Sequence, residues 1–296
     1  MIEVDRLTKR FGKTVAVDDL TFKVEPARVT GFLGPNGAGK TTTLRMILGL
    51  ASPTAGTTTI AGRPFRDLDE PMRRVGAVLE TSNFHPGRSG RSHLRVLAAA
   101  SGLPRSRVEE VLELVAMKET AKRRVKGYSL GMRQRLGLAA ALLGDPEILV
   151  LDEPANGLDP AGIRWLRDLL RSLAGQGRTV LVSSHLLAEM EQIADDVVVI
   201  HHGRFVVQAS TSELAARATS RVRVRSPQAD RLRELLAAES IPVEVTDDGA
   251  LAIGETTAAN VGELAAANGV VLHELVGETA TLEETFLELT GGESTT

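Results

Sequence analysis

Gly34-Pro35-Asn36-Gly37-Ala38-Gly39-Lys40-Thr41 follows the apolar run Val29 to Leu33 and leads into the helix-forming stretch Thr42 to Leu50. Strand, glycine-rich turn, Lys-Thr and helix, in that order, are the setting of a phosphate-binding loop. Glycines at 34, 37 and 39 let the backbone curl round a polyanion, so that successive amides and the N-terminus of the next helix face its oxygens. On this reading the stretch Gly34 to Thr42 cradles the phosphates of a nucleoside triphosphate. Lys40 reaches the β- and γ-phosphates and assists catalysis, and the Thr41 hydroxyl ligates Mg²⁺. A purely structural glycine turn is the alternative, and the complete order of strand, loop, Lys-Thr and helix weighs against it. The loop names a ligand class, a nucleoside triphosphate, and says nothing of what hydrolysis is for.

A second acidic element follows another wholly apolar strand, Ile148-Leu149-Val150-Leu151, as Asp152-Glu153. At the carboxyl end of a strand, on the same sheet edge as the phosphate loop, Asp152 can hold Mg²⁺ directly or through water. The adjacent Glu153 can orient and deprotonate an attacking water. Two carboxylates with two roles are what phosphoryl transfer to water needs.

Composition bounds the rest. A chain of 296 residues with 43% apolar content buries a substantial core and has room for one large domain and a smaller one. There is no cysteine, which excludes disulfides and thiolate metal sites and fits a reducing compartment. Met1-Ile2-Glu3-Val4-Asp5-Arg6 has no apolar leader region, and runs such as Leu138 to Leu143 fall far short of the roughly 18 residues that span a bilayer. A cytoplasmic address is therefore expected. A formal charge of −3, one Trp and one Tyr supply neither a basic stripe nor a stacking platform, so nucleic acid is not an expected partner.

Along the chain, short β-like runs from Ile2 to Val24 read as an antiparallel patch. Strands are expected at Val29 to Leu33, Thr57 to Ile60, Val75 to Leu79, Ile148 to Leu151, Thr179 to Val182 and Val197 to Ile200. From about Pro86 to Leu143 the period is helical, with Val108, Val111, Leu112 and Val115 on one face, which reads as an inserted helical subdomain over about 84–144. Helices at about Ala161 to Leu173 and Leu186 to Ile193 alternate with the later strands. The class is therefore α/β, with a mixed, largely parallel sheet covered on both faces. Past about Ser220 the order becomes β-α-β-β-α-β: strands at Arg221 to Arg225, Pro242 to Thr246, Ala250 to Ile253 and Val270 to Leu275, helices at Ala229 to Glu239 and Thr257 to Asn268. This order implies a small α+β ferredoxin-like sandwich, closed by a helix at Leu282 to Leu289. The expected domains are 1–218, 219–290 and a frayed tail 291–296.

Four further segments narrow the class. Tyr128-Ser129-Leu130-Gly131-Met132-Arg133-Gln134-Arg135 precedes the acidic pair, Asn156-Gly157-Leu158-Asp159 follows it, Ser184-His185 ends the next strand, and Phe11 lies in Lys9-Arg10-Phe11-Gly12 upstream. With the phosphate loop and acidic pair, in this order, the chain closely resembles the ATP-binding subunit of an ABC transporter over about residues 1–218. The resemblance implies the P-loop ABC cassette fold and a head-to-tail pair of cassettes, a homodimer or two homologous ones, with two ATP molecules at the shared interface. It implies that Ser129 and Gly131, at a helix start, present hydroxyl, amide and positive dipole to the partner's γ-phosphate. His185 resembles the switch histidine that steadies the attacking water, Phe11 the aromatic that stacks on adenine, and Asp159 the residue that couples the two sites. Taken alone, Phe11 reads equally well as a core anchor of an N-terminal strand.

Two positions depart from the family pattern. Glu80 replaces the usual glutamine, offering Mg²⁺ a charge where the family offers a neutral carbonyl, so that it either holds the metal more tightly or senses the nucleotide without binding the ion, and Leu130 replaces a signature glycine. Both departures resemble the bacterial exporter branch of bacitracin and lantibiotic resistance, as does the continuation through Phe84, Gly90 and Leu94. The resemblance thus implies an ATPase that powers export through a separate integral membrane permease, from the inner face of the membrane. An importer subunit, a soluble non-transport ABC ATPase and an inactive regulatory module are the alternatives. Glu80 and Leu130 weigh against the importer, a single cassette without a heptad block against the soluble ATPase, and Lys40, Asp152, Glu153 and His185 together against the inactive module.

Overall fold

The computed structural model describes all residues except 80–83, 218–219, 247, 255 and 280–296. Glu80, the expected helix Leu282 to Leu289 and the tail therefore lie outside the described residues. The chain divides into two compact units, Met1–Thr211 and Ser212–Thr296.

The first unit opens on the long hairpin β1 (Ile2–Phe11) and β2 (Thr14–Val24). Next come β3 (Val29–Leu33), α1 (Lys40–Ile47) and β4 (Ala55–Ile60). A short α2 (Pro71–Arg74) leads into β5 (Val75–Val78), and then α3 (Gly90–Ala100), α4 (Ser106–Leu114) and α5 (Leu130–Ala141) form the helical insertion. The chain returns to the sheet through β6 (Ile148–Leu151), α6 (Pro160–Gly175), β7 (Thr179–Ser184), α7 (Leu187–Ile193), β8 (Asp196–His201) and β9 (Arg204–Ser210).

The main sheet has the order β5-β6-β7-β3-β8-β9. Every neighbour pair is parallel except β8 with β9. Every residue of β3, β6 and β7 is buried, as apolar strands covered by helices on both faces must be. Helix α6 buries Leu166, Leu169, Leu170 and Leu173 along one stripe, each such side chain contributing about 1.5–3 kcal/mol, and starts on an Asp159 cap followed by Pro160.

Several expectations need correction in detail. β4 does not join the parallel sheet; it pairs antiparallel with β1, giving a separate sheet of order β2-β1-β4. The helix after the phosphate loop begins at Lys40, so that Lys40 and Thr41 both lie in its first turn. β9 was not anticipated because its hairpin turn is His202-Gly203, without the usual Asn-Gly or Asp-Gly signal. Both turn residues nonetheless have positive φ, 48° and 78°, the backbone that a two-residue hairpin needs.

The second unit begins within α8 (Thr211–Arg217) and contains β10 (Ser220–Arg225), α9 (Ala229–Ala238), β11 (Val243–Val245), β12 (Leu251–Ile253), α10 (Ala258–Ala267) and β13 (Glu274–Thr279). Its sheet is antiparallel in the order β11-β12-β10-β13, the split β-α-β arrangement with two helices over a small apolar core. The last strand starts later than the apolar pattern Val270 to Leu275 implies, because Val270 packs under the C-terminus of α10. Arg223, Arg225, Asp248 and Glu274 form an ion-pair cluster on this unit. A hydrogen bond from Thr246, aided by the Ala250 amide and the two arginines, holds the Asp248 carboxyl down at about 2.

Because each unit has its own apolar core, truncation after Arg217 is expected to leave a folded cassette that binds ATP with wild-type affinity. Equilibrium binding of a fluorescent ATP analogue checks this, and a soluble truncated protein that no longer binds would disprove it.

Candidate functional site

The parallel register brings three separated sequence elements to one edge. β6 pairs with β7 up to Leu151 opposite Val182, so Asp152 emerges beside Ser183 and Glu153 beside Ser184. β3, on the other side of β7, ends at Leu33 opposite Ser184, and the phosphate loop begins at once. All three strands therefore deliver their polar carboxyl ends to one crevice, where open α/β sheets bind ligands.

The loop itself is tightly built. Gly39 has φ 100°, and a Cβ there would lie 2.5 Å from the Ala16 carbonyl oxygen, so neither the backbone nor the space admits a side chain. Lys40, only 6% exposed, donates to the carbonyls of Gly34 at 2.5 Å and Pro35 at 3.2 Å. Its ammonium also pairs with Glu153 Oε1 at 3.3 Å. Glu153 Oε2 lies 2.9 Å from His185 Nδ1, so one carboxylate joins the lysine to the histidine. Glu153 is held at φ 48°, an uncommon backbone for a residue with a side chain and of the kind found at functional sites.

Asp152 is nearly buried and accepts two hydroxyl hydrogen bonds, from Thr41 Oγ1 at 2.7 Å and Ser183 Oγ at 2.5 Å. Ser183 in turn accepts the Glu153 amide at 3.0 Å. One fully buried serine thus fixes both acids of the pair. Thr41 and Asp152 set a hydroxyl oxygen and a carboxylate oxygen side by side next to the phosphate cradle. That donor set suits Mg²⁺, which takes few protein oxygens and completes its shell with phosphates and water.

Ala16, Asn36, Gly37, Gly39, Lys40, Thr41, Thr42, Glu153, Asn156 and His185 line an open cleft of about 300 Å³. Gly34, Pro35 and Ala38 form the floor of the loop, with Ala38 buried. Phe11 ends β1 with 56% of its surface exposed and Lys9 Nζ 5.0 Å above its ring, so it is not a core anchor.

Ser129, Gly131 and Asp159 are absent from the cleft lining. Ser129 caps α5, accepting the Met132 amide at 3.3 Å, and Asp159 caps α6, accepting the Gly162 amide at 2.8 Å. Next to them Arg135 stacks 3.8 Å from the centre of the Trp165 ring; burial pulls its guanidinium below the usual range, with Asp159 partly opposing the shift. Burial likewise raises the Tyr128 phenol, whose hydroxyl donates to the Thr120 carbonyl at 3.0 Å.

Three residues escape sequence reasoning. Ala16 belongs to the β1–β2 hairpin and reaches the loop only by tertiary packing, and Asn156 enters the cleft from a loop read for Asp159. Ser183 had a signal: a Ser-Ser-His strand end beside an Asp-Glu strand end sets hydroxyls against acids wherever the two strands are neighbours.

Comparison with known proteins agrees with this geometry. A family model described as "ABC transporter" matches residues 17–156, and one described as a domain of unknown function matches residues 220–283. The bacitracin transport ATP-binding protein BcrA of Enterococcus faecalis is 37% identical over 299 residues, 99% of this chain and 97% of that protein. The Nod factor export ATP-binding protein I of Ralstonia nicotianae is 35% identical over 305 residues, 99% of this chain and 94% of that one. Among solved structures, one titled "Structure of ATP binding subunit of ABC transporter" aligns with a TM-score of 0.66 and 28% identity, covering 73% of this chain and 92% of that one. Among the described residues, no helix is long and apolar enough to cross a membrane, and no cluster of three or more His, Cys, Asp or Glu forms a metal site by itself.

Proposed function

We infer function from one premise: this chain belongs to the ABC transporter ATP-binding family. It is an ATPase of that family. In our reading it powers export through a separate membrane permease, on the inner face of the membrane, as a head-to-tail pair with two ATP molecules at the interface. The observation that carries this reading is the junction of Lys40, Glu153 and His185 at the mouth of the phosphate cradle. Relatives named for bacitracin transport and Nod factor export support the direction of transport.

The residues divide the work. The loop amides and the α1 N-terminus bind the phosphates, and Lys40 exchanges its Glu153 and carbonyl partners for phosphate oxygens. That exchange releases Glu153 to accept the proton of the attacking water, which His185 orients from the other side. Thr41 and Asp152 would hold Mg²⁺, which when bound would neutralise charge on the transferring phosphoryl group. Ser183 keeps Asp152 and the Glu153 backbone in register. Ser129, Gly131 and Asp159 stand outside their own subunit's cleft, which accords with service to the partner's ATP. Phe11, exposed at the end of the hairpin, is free to stack on adenine. Glu80 remains a proposed Mg²⁺ ligand.

The permease is expected to dock on the helical insertion. Phe84 meets His93 edge-on at 5.1 Å and, with Pro86, Val125, Lys126 and Arg133, lines an open hollow of about 290 Å³. Arg88 stands beside it, its carbonyl accepting the Val125 amide at 2.9 Å. Phe84→Ala combined with Arg88→Glu is expected to abolish co-purification with the membrane permease, while basal ATPase activity stays within about twofold. Unchanged co-purification would move the docking surface elsewhere, and collapse of basal activity would assign the loop to the catalytic core.

A further inference from the structure

Leu130 stands where the family pattern has glycine, and half of its surface is exposed. Its side chain lies over the Cα of Gly157. A Cβ built on Gly157 would sit 2.5 Å from Leu130 Cγ and 3.2 Å from its Cβ, with Cδ2 nearer still. Gly157 also has φ 76°, so the loop after β6 turns there in a way that exposes bare backbone to the leucine.

Neighbouring contacts repeat the junction. Gln134 Nε2 donates to the Asn156 carbonyl at 3.3 Å, and a Cβ on Gly131 would meet Leu158 Cδ2 at 3.3 Å. On its other side the same loop is tied to the acidic pair by the Asn156 amide, which donates to the Glu153 carbonyl at 3.2 Å, and is closed on itself by the Leu158 amide, which donates to the Ala155 carbonyl at 3.0 Å. A continuous path thus runs from the Glu153 backbone through residues 156–158 to the turn that carries Ser129 and Gly131.

We propose that Leu130 and Gly157 are a matched positioning pair, in which the leucine that replaces a signature glycine is received by a glycine in the loop, locking the two segments together. The consequence rests on the composite-site reading above: Ser129, Gly131 and Asp159 reach the partner's nucleotide as one piece, and a backbone change at Glu153 in one site is carried to the other. Neither member of the pair lines its own subunit's cleft. Their effect is on alignment, which governs turnover more than binding.

The test is a double-mutant cycle in the full-length protein. Gly157→Ala is expected to lower kcat at least tenfold, on the order of what sub-ångström misplacement costs, while the Kd for ATP stays within about twofold. Adding Leu130→Gly removes the obstructing side chain and is expected to restore kcat to at least roughly a third of wild type, a strongly non-additive outcome. Wild-type kcat in Gly157→Ala, or a double variant no better than Gly157→Ala alone, overturns the proposal, the latter by placing the whole loss in the left-handed backbone. If Gly157→Ala does not fold, the same cycle is read as Tm: recovery of a folded protein in the double variant supports the pair, and no recovery overturns it. Mixing Ser129→Arg with Lys40→Ala subunits tests the composite site separately. A mixture without hydrolysis sinks that reading, whereas a working mixture with failed rescue sinks only the pair.

Discussion

Glu153→Gln is expected to bind ATP as wild type does and to lose at least about 100-fold in turnover, the usual worth of a general base. The amide keeps the shape of the side chain and one oxygen for the Lys40 ammonium, now 3.3 Å away. It cannot take a proton from water, and it offers the His185 ring no negative charge in place of the oxygen 2.9 Å from Nδ1. Lys40 keeps its bonds to the Gly34 and Pro35 carbonyls, so the near-buried cation is not left without partners and the fold is expected to survive. Blocked after binding, the variant should accumulate as an ATP-held dimer. Gel filtration with ATP and Mg²⁺, run beside a phosphate-release assay, decides the matter: a monomer with undiminished hydrolysis would show that Glu153 is not the base.

The second large effect concerns the proposed two-subunit site. Ser129→Arg places a bulky cation at the cap of α5, and Lys40→Ala removes the cation of the phosphate loop. Each variant alone is expected to be inactive, because both sites of its homodimer contain the defect. Mixed together, they form heterodimers in which the intact loop of one subunit faces the intact Ser129 of the other. Random pairing in a two-fold dimer with independent sites then recovers about a quarter of wild-type activity. Recovery in the mixture, from two inactive parents, has no explanation in a site built within one chain. Absence of any recovery, with mixed dimers demonstrated by differential tagging, would exclude head-to-tail pairing.

Much of the candidate site's geometry was legible because its motifs are local. Gly34 to Thr41 needs only the chain's own backbone to make a phosphate cradle, and Asp152-Glu153 needs only to follow an apolar strand. Less local features were read poorly. Whether the strand Ala55–Ile60 would extend the main sheet or pair with β1 could not be read from its own residues, since a short run of threonines without apolar alternation suits either edge. The hairpin into β9 hid behind His202, a residue that tolerates positive φ but is not its usual carrier.

By itself, then, the order of residues determined the ligand class, the acidic pair, the α/β alternation and the helical insertion, since these depend on residue type, periodicity and short spacing. Only the tertiary structure decided how those pieces serve one another. It set Ser183 between the two acids, turned Glu153 toward both Lys40 and His185, and laid Leu130 over Gly157. Each of these contacts joins segments well separated in sequence through strand register or loop packing. Such register is settled by the burial of whole strands and helices, which no single motif encodes.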